Sequence, residues 1–200
     1  MSNTPPPEAL PKLKAFIERI IPLSDSAWAF FSSELQYRTY PKGSFFVSQG
    51  EVNEAFGFAT TGLFRFYYLV DGQEHVRQFF FANQFIGDFQ SYLTRQPSQL
   101  YIEAMHDSAV LLLPYAHMQE GYRKFPEFER FSRILNEQLL IFFSKRLASL
   151  LLDSPEKRYE DLVRERPKVI EHIPQYMIAS YLGVTPEALS RIRKRLAQKK

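Results

Sequence analysis

The chain has 200 residues, 45% hydrophobic and 24% charged, with 19 Phe and 11 Tyr, enough apolar side chain for one domain or for a larger and a smaller one. It has no cysteine, which excludes disulfides, cysteine-ligated iron–sulfur clusters and thiol redox switching. The net charge is only +3, but residues 156–200 hold eleven Lys or Arg against six Asp or Glu, so the first three quarters of the chain are slightly acidic and the end is basic.

The start, "MSNTPPPEALPKLK", is Pro-rich, is expected to be mobile and carries no apolar signal core. No run of eighteen apolar residues follows, so export and membrane insertion are not expected and the cytoplasm is the expected compartment. Leu13, Phe16, Ile17, Ile20 and Ile21 recur at helical spacing, and "SDSAWAFFSSEL" predicts a second short helix capped near Ser24.

From about Tyr37 to Pro114 the period changes. Short apolar or alternating runs ("FFVSQG", "AFGFATTG", "LFRFYYLVDGQ", "HVRQFFFANQ", "YIEAM", "AVLLLP") are separated by turn residues, and Asp71-Gly72 between two of them is a hairpin signal. Such spacing predicts an antiparallel sandwich or barrel-like roll. From about Pro126 to Asp153 the helical period returns in one long helix. Its segment "LLIFFSKRLASLLL" is apolar over too wide an arc for one buried face, which predicts packing on its own sheet domain and on a second subunit.

"DSPEKRYEDLVRERPKVIEHIP" reads as a polar connection, a helix and a break around Pro167 to Pro174. "PQYMIASYLGVTPEALSRIRKRL" then gives a helix with Ile178, Ala179 and Leu182 inward, a turn at Gly183 and a terminal helix. The terminal helix has clear start signals: Thr185 as N-cap, Pro186 at the first position and Glu187 in the first turn. On its wheel Leu189, Ile192 and Leu196 share one arc, with Glu187, Ser190, Arg191, Lys194 and Gln198 roughly opposite. The last sixteen residues carry six basic groups against Glu187. Helix, Gly-containing turn and helix with a basic outer face is the helix-turn-helix pattern.

The order of elements and these residues resemble the Crp/Fnr family of transcription regulators across nearly the whole chain. "FIGDFQSYLTRQPSQLYIEAM" is similar to the phosphate-binding segment of a cyclic-nucleotide-binding roll, the long apolar helix to the dimerisation helix, and "IPQYMIASYLGVTPEALSRIRKRL" to the DNA-binding end. The resemblance implies an α+β chain: an antiparallel β-roll with N-terminal helices over 1–124, a long dimerisation helix over 125–153 and a helix-turn-helix domain over 154–200. It implies as partners double-stranded DNA with an inverted-repeat site and a second copy of the chain, counts RNA polymerase among the candidates, and implies no enzymatic activity.

In such regulators a Glu and an Arg four residues apart often read bases, which match Glu187 and Arg191; a carboxylate can accept from cytosine N4 and a guanidinium can donate to guanine O6 and N7. The alternative is that Glu187 serves the helix dipole and pairs with Arg191. Thr185 and Ser190 are candidate phosphate or base contacts, and Arg193, Lys194 and Arg195 candidate phosphate contacts. Pro186 replaces a residue that is basic in some relatives, and the wing hairpin of longer members is not expected here.

For the effector, the resemblance places Gly87, Asp88, Phe89, Ser98 and Gln99 at the cyclic-nucleotide segment. Asp88 stands for a ribose-binding Glu, and Ser98-Gln99 for an Arg followed by Ser or Thr that would hold the phosphate. Without that guanidinium, cyclic AMP is not expected to bind and no cofactor is expected; Gly87, Asp88 and Ser98 are then turn-shaping residues, with Arg95 as the one nearby substitute. Two other readings compete. A cupin-type enzyme would need clustered His, and His75, His106, His117 and His172 are scattered. A ligand-sensing or protein-interaction module without DNA binding would not need the basic terminal helix.

Overall fold

The computed structural model describes residues 4–198. Residues 1–3 of the Pro-rich start, and Lys199 and Lys200 of the basic tail, lie outside them. The described chain runs α1 (Ala9–Glu18), α2 (Asp25–Ser33), β1 (Gln36–Tyr40), β2 (Phe45–Val47), β3 (Ala55–Thr61), β4 (Leu63–Val70), β5 (Gln73–Phe81), β6 (Gln84–Ile86), α3 (Phe89–Thr94), β7 (Tyr101–Ala104), β8 (Ser108–Pro114), α4 (Tyr115–Lys124), α5 (Pro126–Leu152), α6 (Pro155–Glu165), α7 (Pro167–His172), α8 (Gln175–Leu182) and α9 (Pro186–Gln198).

The strands form two four-stranded sheets, ordered β1-β8-β3-β6 and β2-β7-β4-β5. Pairing is antiparallel, with Gln36 opposite Leu112 and Phe58 opposite both Leu111 and Phe85. The chain is α+β, an antiparallel roll of two sheets followed by helices. It divides into two compact units: residues 1–68 with 79–137, and residues 69–78 with 138–200.

In the first unit the sheets enclose Tyr40, Ala59, Phe64, Phe66, Ile86, Ile102, Val110 and Leu112. A second cluster joins the outer face of β3 and β8 to the helices, through Leu13 and Ile17 of α1, Phe31 of α2, Phe58, Leu111, Leu113, and Phe128 and Phe131 of α5. Successive residues of a strand point to opposite faces, so β8 sends Val110 and Leu112 inside and Leu111 and Leu113 to the helices. That is why "AVLLLP" is apolar at every step instead of alternating. Ser24 caps α2 as expected, accepting from the amide of Ala27 at 3.3 Å.

Several elements differ from the sequence reading. The short β6 and helices α3 and α4 were not separately expected: each is brief, and α4 ("YAHMQEGYRK") mixes polar residues with a glycine whose Cβ would lie 3.0 Å from Phe128. The break expected around Pro167 to Pro174 is in fact α7. Pro167 occupies its first turn, where a missing amide hydrogen costs nothing, and Ile173-Pro174 ends it. At the hairpin, Asp71 (φ 50°) and Gly72 (φ 75°) are both left-handed, as a two-residue turn of the I′ kind requires.

In the second unit, Tyr159 and Leu162 of α6, Val169 of α7, Met177, Ile178, Ala179, Tyr181 and Leu182 of α8, and Leu189 and Ile192 of α9 are buried. No helix is long and apolar enough to cross a membrane among the described residues.

Candidate nucleic-acid interface and effector segment

Helix α8 ends at Gly183, whose φ of 68° lies in the left-handed region that suits a helix C-terminus. The amide of Gly183 donates to Ser180 O and that of Val184 to Ala179 O, each at 3.0 Å. The other two terminal carbonyls are taken by arginines: Arg146 of α5 donates to Tyr181 O, and Arg158 of α6 donates to Leu182 O at 3.1 Å. All four carbonyls that a helix end leaves open are therefore bonded. Arg146 also stacks over the Tyr181 ring at 4.0 Å, and burial lowers its pKa from the ordinary arginine value.

The turn leads directly into α9. Thr185 Oγ1 accepts from the amide of Ala188 at 3.2 Å, and the Thr185 carbonyl accepts from Leu189 at 3.0 Å. The Glu187 carboxyl is held below the usual Glu range by its own backbone amide first, then by the Thr185 hydroxyl, with Arg191 adding to the effect. Leu189 and Ile192 face the unit's core, whereas Thr185, Glu187, Ser190, Arg191, Arg193 and Lys194 are exposed. Arg195 is exposed too but pairs with Glu156 of α6 at 3.2 Å. Six of the seven candidates thus lie on α9 and Thr185 caps it, with Arg195 alone drawn to a neighbouring helix.

The effector segment is built differently. Asp88 is 3% exposed and caps α3, accepting from Gln90 N at 3.1 Å. Ser98, equally buried, donates from Oγ to Asp88 Oδ2 at 2.8 Å and accepts from Leu100 N at 3.2 Å. Gly87 lies so close to Phe56 that a Cβ there would meet its ring at 2.6 Å, and Phe56 packs on Phe89 and Tyr92 with centroids 5.0 and 4.1 Å away. Gln99 is exposed. Burial pushes the Tyr92 phenol above its ordinary pKa.

Arg95, the sole cation between residues 84 and 104, is left-handed at the end of α3 (φ 60°). It forms an ion pair with Glu54, donates to Asn53 O at 3.2 Å and stacks over Tyr115 at 4.3 Å. Nothing local in the sequence announces Glu54, 41 residues before Arg95, or Tyr115, twenty residues after it. The segment brings Gly87, Asp88, Phe89 and Ser98 together, and turns its guanidinium toward Glu54.

Among the histidines, His117 is buried, with Nε2 2.8 Å from Phe30 O and its ring stacked on Phe30 at 4.2 Å. Among the described residues no group of three or more His, Cys, Asp or Glu is placed to hold a metal ion.

A cyclic-nucleotide-binding roll continued by helices is the fold class these elements define, and residues 37–124 match the family model of the cyclic nucleotide-binding domain. Solved structures share the fold over most of the chain. FixK2 from Bradyrhizobium japonicum is 19% identical with a TM-score of 0.71, covering 82% of this chain and 85% of its own. The c-di-GMP responsive global regulator CLP of Xanthomonas campestris is 16% identical, TM-score 0.67, covering 88% and 93%. The Thermus thermophilus catabolite activator protein is 20% identical, TM-score 0.57, covering 90% and 86%. No curated protein matches the chain.

Proposed function

We propose that the protein is a dimeric, sequence-specific DNA-binding transcription regulator of the Crp/Fnr type, without enzymatic activity, working in the cytoplasm. The observation that carries this reading is α9: capped by Thr185, anchored by Leu189 and Ile192, and presenting Glu187, Ser190, Arg191 and Lys194 on one exposed face after the tight turn at Gly183. A helix so mounted can enter a major groove, with Arg191 donating to guanine, Glu187 accepting from cytosine, and Ser190, Arg193 and Lys194 on base edges or phosphates. Thr185 and Arg195 are further candidate phosphate contacts, Arg195 after release from Glu156. RNA polymerase is a further candidate partner.

Dimerisation is supported by the second half of α5, where Leu140, Ile141, Leu147, Leu151 and Leu152 are exposed, Leu152 by 83%. The run Leu140, Ser144, Leu147, Leu151 follows the alternating three- and four-residue spacing of a two-helix seam, which fits a second copy of the same helix. For the effector, a buried carboxylate braced by Ser98, with Arg95 turned to Glu54, supports a segment that does not take cyclic AMP.

Mapping of bound genomic sites tests the reading: it should return an inverted repeat with half-sites about 34 Å apart on one side of the duplex. Enrichment of no sequence would reject it. Calorimetric titration with cyclic AMP should show no micromolar binding; a tight isotherm would reject the effector reading alone.

A further inference from the structure

Among the described residues, strand β5 is the outer strand of its sheet, so one side of its backbone faces no neighbouring strand. In the second unit that side meets α8. Ser180 Oγ donates to Glu74 O at 3.0 Å and accepts from Val76 N at 2.9 Å. A strand carbonyl and the amide two residues on point the same way, and one hydroxyl, able to donate and accept at once, satisfies both. Around this bridge, Arg166 donates to the Gln78 side chain and, at 3.3 Å, to Tyr181 OH, while Arg77 stacks over Phe143 of α5 at 4.7 Å. Val76 and Gln78 are 6% and 7% exposed.

The same stretch of α8 is gripped from two other elements, by Arg146 at Tyr181 O and Arg158 at Leu182 O. Three elements thus converge on the last turn of α8, immediately before α9. Because β4 and β5 are continuous with the roll, the hairpin tip is the part of this clamp that belongs to sheet strands.

We propose that Ser180 is a positioning residue: by pairing with the edge of β5 it docks the α8–α9 pair on the hairpin tip, and so fixes the separation of the two recognition helices in the DNA-bound dimer. This rests on the DNA-binding reading above. Ser180 itself touches no base. Its removal loosens the aim of α9, so that half-sites one base pair closer or farther, about 3.4 Å along the axis, are tolerated.

The test uses the full chain, as wild type, Ser180→Ala and Ser180→Thr. Hydrogen exchange should show the Val76 amide exchanging roughly tenfold faster in Ser180→Ala and at the wild-type rate in Ser180→Thr. Selection from random DNA should return one spacer length for wild type and Ser180→Thr. For Ser180→Ala, discrimination against spacers one base pair longer or shorter should fall about tenfold while the half-site sequence stays the same. Unchanged Val76 exchange in Ser180→Ala would overturn the docking bond. Faster exchange with an unchanged spacer preference would overturn the positioning role. Wild-type protein that selects no sequence would overturn the DNA-binding reading and this role with it, and would be recognised by normal Val76 protection without enrichment.

Discussion

The effector segment and the terminal helix both carry the side chains that binding sites are made from, and they spend them in opposite ways. Between Gly87 and Leu100 the carboxylate, the hydroxyl and the arginine are engaged within the protein: Asp88 with Ser98 and the α3 cap, Arg95 with Glu54, Asn53 and Tyr115. On α9, Arg191, Arg193 and Lys194 are exposed, while Thr185, Glu187, Leu189, Ile192 and Arg195 are engaged in the helix's own start and packing. A buried polar group is worth most to the fold when its partner is present, because leaving it unpaired costs more than the bond itself gains. A solvated cation costs little to leave exposed and can still be desolvated against a polyanion. The difference separates side chains engaged within the fold from side chains left to solvent.

The largest effect should come from the seam on α5. Leu147→Asp places a charge where the second copy is expected to pack, and should turn a dimer at micromolar concentration into a monomer in sedimentation, with at least a hundredfold loss of affinity for a full inverted repeat. A wild-type monomer at that concentration would break the dimer reading at its base.

Next, Arg191→Ala should cost about 1 to 3 kcal/mol per half-site and relax preference mainly at one base pair. If binding-site selection gives the same motif and affinity, the reading face of α9 has been misassigned. On the other side of the comparison, Asp88→Ala removes a buried acceptor from Ser98 and from the α3 cap. It should lower unfolding free energy by about 1 to 3 kcal/mol while leaving the selected DNA motif unchanged. Urea melts and selection on the same sample would decide whether the segment is structural.

Lys194→Ala should be milder, weakening all sequences alike and making the dependence of binding on log salt shallower by about one unit of slope. A shift in motif would count against a phosphate contact. The smallest effect concerns pH. The folded Glu187 carboxyl is depressed, so its contribution to the start of α9 is fully present above the ordinary Glu range and is lost as pH falls through the depressed value. Amide shifts at the first turn of α9 should follow that titration in wild type and not in Glu187→Gln.

The sequence by itself determined the parts of this protein whose signals are local. Ser24 and Thr185 announce helix starts, Asp71-Gly72 announces the hairpin, and the pattern of Leu189, Ile192 and Leu196 settles which side of α9 faces inward, because capping and helical periodicity act within a few residues. Only the tertiary structure decided where the remaining groups go. Nothing near Arg95 names Glu54, nothing near Ser180 names Glu74 and Val76, and nothing near Arg146 or Arg158 names the carbonyls of Tyr181 and Leu182. Each of those partners is at least twenty residues away, and a long-range pairing leaves no period or spacing in the chain because it depends on how whole elements pack rather than on the conformation of any one of them.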